Sequence, residues 1–103
     1  APSGVYVLQD DFGAAERPLG AAAPPVLRFL DGGKLVMEGM TGYGPGGVQF
    51  SPGVVTPARY RLKGGDLTIV YDRGASEVVG FAHLPSTVDD IILVGGLFFK
   101  RSD

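Results

Sequence analysis

The chain reads as an all-β protein, a small antiparallel up-and-down barrel of about eight strands, with a β-sandwich of the same strand order as the competing architecture. Three observations carry that expectation. Seventeen glycines and eight prolines in 103 residues interrupt nearly every stretch long enough for a helix. Between these breaks Val, Ile, Leu, Phe and Tyr cluster in short runs. Paired glycines recur at Gly32-Gly33, Gly64-Gly65 and Gly95-Gly96, where they supply the positive φ of tight hairpin turns. A chain of this length is expected to form a single domain over residues 1–103 with one core.

Taken in order, the first strand is expected at residues 5–9. The first hairpin follows at 26–30 and 34–38, and it needs the three-residue loop Asp31-Gly32-Gly33. Only that register sets Leu27 and Phe29 on one face with Met37 and Leu35, and turns Arg28 and Glu38 outward. Around Gly64-Gly65 a two-residue turn joins strands 58–63 and 66–72, with Lys63 opposite Asp66, Leu62 opposite Leu67 and Tyr60 opposite Ile69. A further strand is expected at 78–83. The last hairpin, 90–94 and 97–101, pairs Asp90 with Arg101 and places Ile92, Val94, Leu97 and Phe99 on one face. Ile91, Leu93 and Phe98 fall on the other, an outward apolar stripe that lies under the segment 10–25 or forms a homodimer contact. Hairpins recurring about every 32 residues resemble an internal repeat, but a meander of similar strands produces the same period.

Between residues 39 and 57 glycine and proline break the alternation, yet Met40, Tyr43, Val48, Phe50, Val54 and Val55 are too many large apolar groups for a solvated linker. A long loop is expected there, either packed by its own side chains or laid as a lid over the open barrel end with Tyr43 and Phe50 as contacts. The run GYGPGG at 42–47 matches G-x-G-x-x-G letter for letter. A dinucleotide fingerprint needs a helix after it, whereas VQFSPGVVTP follows, so nucleotide binding is set aside.

Nine Lys and Arg against eleven Asp and Glu leave a net charge of -2, which draws the chain neither to nucleic acid nor to an anionic membrane. Arg59, Arg61 and Lys63 form a basic stripe, but Tyr60 lies on the opposite face, so the stripe is a solvated surface and no nucleic-acid partner is expected. No apolar run is long enough for a membrane span. Without cysteine there is no disulfide framework and no thiolate nucleophile, and with His83 alone no zinc or copper site. Asp10-Asp11 and Asp89-Asp90 lack the ligand ladder of a calcium loop, so no metal and no cofactor is expected. His83 with Ser86 and Asp89 suggests a triad, but residues so close in one turn rarely aim at one point.

The order Gly4-Val5-Tyr6, LRFLDGGKL at 27–35, YRLKGGDLTIVY at 60–71 and LFFKR at 97–101 resembles small bacterial lipocalin-like proteins of the calycin type. In lipocalins the first strand carries Gly-x-Trp and a basic residue of the last strand lies across that tryptophan to close the barrel floor. The resemblance implies that Tyr6 stands in the tryptophan position and Arg101 in the basic one. The start Ala1-Pro2-Ser3, with neither an initiator Met nor a basic-then-apolar leader, points to an extracytoplasmic setting, periplasmic or secreted, if a signal peptide has been removed, and a trimmed chain explains the same residues.

The expected function is a noncatalytic binding protein holding a small apolar ligand or peptide at the barrel mouth. The candidate ligand-binding residues are Phe29, Met37, Tyr43, Phe50, Tyr60, Ile69, Tyr71, Phe81 and His83: apolar walls with phenols and an imidazole for orientation. A protein-interaction module is the alternative, such as a secreted-protease inhibitor with Ala1-Pro2-Ser3 as its arm, or an assembly factor using Ile91, Leu93 and Phe98. A third class is a small-barrel cyclase or isomerase with His83, Tyr60 and Tyr71 as acid-base groups.

Overall fold

In the computed structural model of the chain, eight strands run in sequence order: β1 (Gly4–Leu8), β2 (Val26–Leu30), β3 (Lys34–Gly44), β4 (Gly47–Lys63), β5 (Asp66–Tyr71), β6 (Ser76–Leu84), β7 (Ile91–Val94) and β8 (Leu97–Arg101). The structure describes residues 2–9, 24–44, 47–84 and 89–102, without the side chains of 44, 47–49 and 52. Each strand pairs antiparallel with the next, and β1 pairs with β8 through Tyr6 opposite Arg101 and Leu8 opposite Phe99. That last ladder closes the sheet into a barrel and excludes the sandwich, which would leave two open edges.

The registers follow from the alternation. Leu27 meets Met37 and Phe29 meets Leu35; Lys63 meets Asp66, Leu62 meets Leu67 and Tyr60 meets Ile69; Ile92 meets Phe99 and Val94 meets Leu97. Apart from the exposed Lys63–Asp66 pair, these pairs put apolar groups on the inner face, where Leu27, Leu35, Met37, Leu67, Ile69, Ile92, Val94 and Phe99 are all fully buried. A side chain removed from water in this way contributes about 1.5–3 kcal/mol before the cost of ordering it. The turns are as short as the glycines permit: both glycines at 32–33 and at 95–96 have positive φ. In the middle pair only Gly64 does, with φ of 60°, so Gly65 occupies the same turn without needing glycine's positive φ.

Residues 39–57 depart from expectation. They are not a loop: β3 and β4 run on past the barrel wall as a hairpin arm in which Met40 faces Phe50, Tyr43 faces Val48 and Gly44 faces Gly47. The ladder slips between Glu38 and Met40 and again between Met40 and Gly42, and Gly39 (φ 78°) and Gly53 (φ 81°) stand at the first slip. Bulges of this kind hide the period-two pattern from a sequence reading while preserving the pairing. Pro52 falls in the stretch of β4 that the ladder skips, where the missing N–H costs no cross-strand bond.

The ends of the barrel differ. At one end, here the floor, Pro2 is buried and its carbonyl accepts the Tyr60 hydroxyl at 3.4 Å. Tyr6, Phe29 and Tyr60 stack edge to face beneath it, with centroids 5.8 Å apart for the first pair and 5.2 Å for the second. At the other end, the mouth, the arm bends over the opening.

Candidate functional site

The bend brings Tyr43 from β3 to the far wall, since β3 and β7 stand four places apart in an eight-strand ring. A Cβ placed on Gly95, in the turn between β7 and β8, would lie 2.5 Å from two ring carbons of Tyr43. Only a glycine lets the ring approach that turn so closely. The Tyr43 backbone N–H donates to both carboxylate oxygens of Glu77 on β6, at 3.1 and 3.0 Å. Tyr71, at the end of β5, donates its hydroxyl to Glu77 Oε1. Gly42 is buried against this pair, and a Cβ there would lie 2.7 Å from both the Tyr71 hydroxyl and Glu77 Oε1. Glu77 thus latches the arm to the wall by charge-assisted hydrogen bonds.

One polar atom at the mouth is left over. The Tyr43 hydroxyl oxygen is enclosed and, among the described residues, has no hydrogen-bond partner. Burial, then the neighbouring Tyr71 and Glu77, push this phenol far above its ordinary 10.0. Burial, then the hydrogen bond and charge of Glu77, likewise raise Tyr71, although the Arg73 guanidinium lies 4.5 Å from the Tyr71 ring centroid and opposes the shift. Both phenols are therefore neutral donors across the physiological range. The ring of Tyr43, with Phe50, Val79, Phe81 and Leu97, packs against the buried core.

A second cluster occupies the floor. Asp90 accepts the Tyr6 hydroxyl at 2.9 Å on Oδ2, meets His83 Nε2 at 2.5 Å on Oδ1 and lies 3.7 Å from Arg101 Nη1. The Arg101 backbone N–H also donates to the Asp90 carbonyl at 2.8 Å. Burial alone would raise the Asp90 carboxyl, but the hydrogen bonds from His83 and Tyr6 and the charges of His83 and Arg101 hold it below its ordinary value. Tyr6 and Arg101, the implied closure pair, do stand opposite each other in the ladder, and both engage this carboxylate.

The nine candidate ligand residues divide accordingly. Tyr43 and Tyr71 meet at Glu77 at the mouth, Phe50 lies opposite Met40 on the arm and packs against the core, and Phe81 faces Val94 beside the β7–β8 turn. Met37 and Ile69 are fully buried between the ends. Phe29 and Tyr60 belong to the floor stack. His83 has the inward parity, opposite Ile92, but at the rim its side chain is 52% exposed and turned to Asp90. His83 and Tyr71 therefore serve opposite ends and form no common acid-base pair. Ile91, Leu93 and Phe98 are half-buried on the outer face; Ser86 and residues 10–23 lie outside the described residues.

Sequence reasoning missed Glu77 and Asp90's central place on the floor. A signal existed for the first: Glu77 shares the parity of Val79 and Phe81, so the alternation aims a carboxylate inward. Among the described residues surface clefts of about 290 Å³ beside Lys34, Val36, Pro57 and Arg59, and of about 220 Å³ at the arm's base beside Pro24, Val26 and Val54, are also formed. Among the described residues no helix is long and apolar enough to cross a membrane. No protein-family model matches the chain, and no curated protein and no solved structure matches it. The closed eight-strand antiparallel barrel is compatible with a lipocalin-like barrel.

Proposed function

We propose that this chain is a lipocalin-like, noncatalytic binding protein that holds a small apolar molecule at the barrel mouth beneath the arm. The carrying observation is the unpartnered Tyr43 hydroxyl. Burying a hydroxyl without a partner costs about 1–3 kcal/mol, and a phenylalanine would fill the same space without that cost. A polar group kept there is best accounted for by a partner that arrives with the ligand. The surroundings support the reading: Phe50, Phe81 and Leu97 supply apolar wall, and the arm is tied down by one carboxylate rather than by a continuous ladder. Glycines at the bulges, Gly39 and Gly53, give the arm a hinge at which φ can change cheaply.

An inhibitor that uses its N-terminal residues as a free arm is less well supported, because Pro2 is buried and bonded to Tyr60. The test is native mass spectrometry of protein purified without denaturant, followed by organic extraction and titration with Nile red. A bound apolar species that extraction removes, and saturable dye binding afterwards, is the expected result. A bare mass together with no dye binding would refute the proposal.

A further inference from the structure

The charges around the mouth specify what kind of head group it accepts, given the binding role proposed above. The hydroxyl of Tyr43 is a donor without an acceptor. Among the described residues the carboxylate whose charge bears on this phenol is Glu77, whose two oxygens already accept the Tyr43 amide and the Tyr71 hydroxyl. Among the described residues Arg73 is the cation placed near this group, and its exposed guanidinium lies over the Tyr71 ring. A ligand carboxylate seated on the enclosed Tyr43 hydroxyl would therefore be brought towards a second carboxylate where water is scarce, and like charges repel there more strongly than in water. A ligand ammonium would lose its hydration, and Glu77 has its best acceptor directions occupied. An uncharged oxygen pays neither penalty and gives the phenol its missing partner.

We infer that the mouth selects an uncharged amphiphile, an apolar chain ending in a hydroxyl, ester or ketone oxygen, with the Tyr43 hydroxyl donating to that oxygen and the Glu77 carboxylate excluding fatty acids. Tyr43 is then the specificity-determining contact and Glu77 the discriminating charge. The ligand class is defined by these two groups and not by the volume of the mouth.

The experiment is displacement of bound Nile red by 1-decanol, decanoate and decylammonium at about pH 8, where the acid and amine are charged. Decanol is expected to displace the dye on the order of tenfold more tightly than either charged analogue. Tyr43→Phe should weaken decanol about fivefold. Glu77→Gln keeps an acceptor for the arm but removes the charge, so it should narrow the gap between decanol and decanoate. Circular dichroism of both variants verifies the fold. Equal binding of the three heads, tighter binding of a charged one, or an unchanged decanol affinity in Tyr43→Phe would overturn the inference. Failure of Nile red to bind at all would instead remove the mouth site on which it rests.

Discussion

The backbone N–H of Tyr43 and the carboxylate of Glu77, 34 residues apart in sequence, bond across the barrel mouth at 3.0 and 3.1 Å. This contact turns a protruding hairpin into a cover. Glu77→Ala removes the acceptor of both the Tyr43 amide and the Tyr71 hydroxyl, and should lower stability by about 1–3 kcal/mol. Hydrogen exchange should accelerate at residues 40–44 and not in the ladder between β4 and β5. Acceleration spread evenly over the barrel would mean that Glu77 supports the whole fold and not the arm.

Gly95 and Gly96 offer an internal control. Both have positive φ, 59° and 87°, so alanine at either is strained by about 1–2 kcal/mol. At Gly96 the new methyl meets nothing within 4 Å, whereas at Gly95 it strikes the Tyr43 ring. Chemical denaturation should therefore find Gly95→Ala less stable than Gly96→Ala by about another 1–3 kcal/mol. Equal losses would show that the ring does not rest on that turn.

Removing an unpaired buried hydroxyl should relieve a desolvation cost. In ligand-free protein Tyr43→Phe is expected to be more stable than the parent, by about 1 kcal/mol, with a higher Tm. A loss of stability would reveal a hydrogen bond that the folded chain makes with this group.

The Asp90 carboxyl is held below its ordinary 3.8, so around that pH the unfolded chain binds more protons than the folded one. Stability is then fully present above about pH 4 and falls as pH drops through the depressed value. The sign reverses at the mouth. Tyr43 and Tyr71 are raised, so above about pH 10 the unfolded state loses phenolic protons first and stability falls as pH rises. Urea midpoints measured from about pH 2 to 11 should show both losses, and Asp90→Asn should flatten the acid limb alone. An acid limb unchanged in that variant would assign acid sensitivity to other carboxylates.

Most of the barrel was legible in the sequence because its wall obeys a period of two between glycine turns. Leu27 with Met37, Tyr60 with Ile69 and Ile92 with Phe99 each follow from alternation plus turn length. The arm was not, since the slips flanking Met40 shift parity between Glu38 and Gly42 and disguise a hairpin as a loop. Tyr43 and Phe50, the large aromatics in a run otherwise rich in glycine and proline, pack from the arm against the core. Glu77 was harder: its role depends on a partner 34 residues away that only the bent arm delivers. The parity of His83 follows from the alternation, but parity cannot say that the imidazole stands at the rim, half exposed and turned to Asp90.

The central claim is that the covered mouth receives an apolar ligand through Tyr43. Amide chemical-shift mapping during titration with 1-decanol tests it most directly. Saturable shifts concentrated at Tyr43, Phe50, Tyr71, Glu77 and Gly95, with Tyr6, His83 and Asp90 unmoved, are the predicted result. Shifts confined to the floor, or none at saturating decanol, would contradict it.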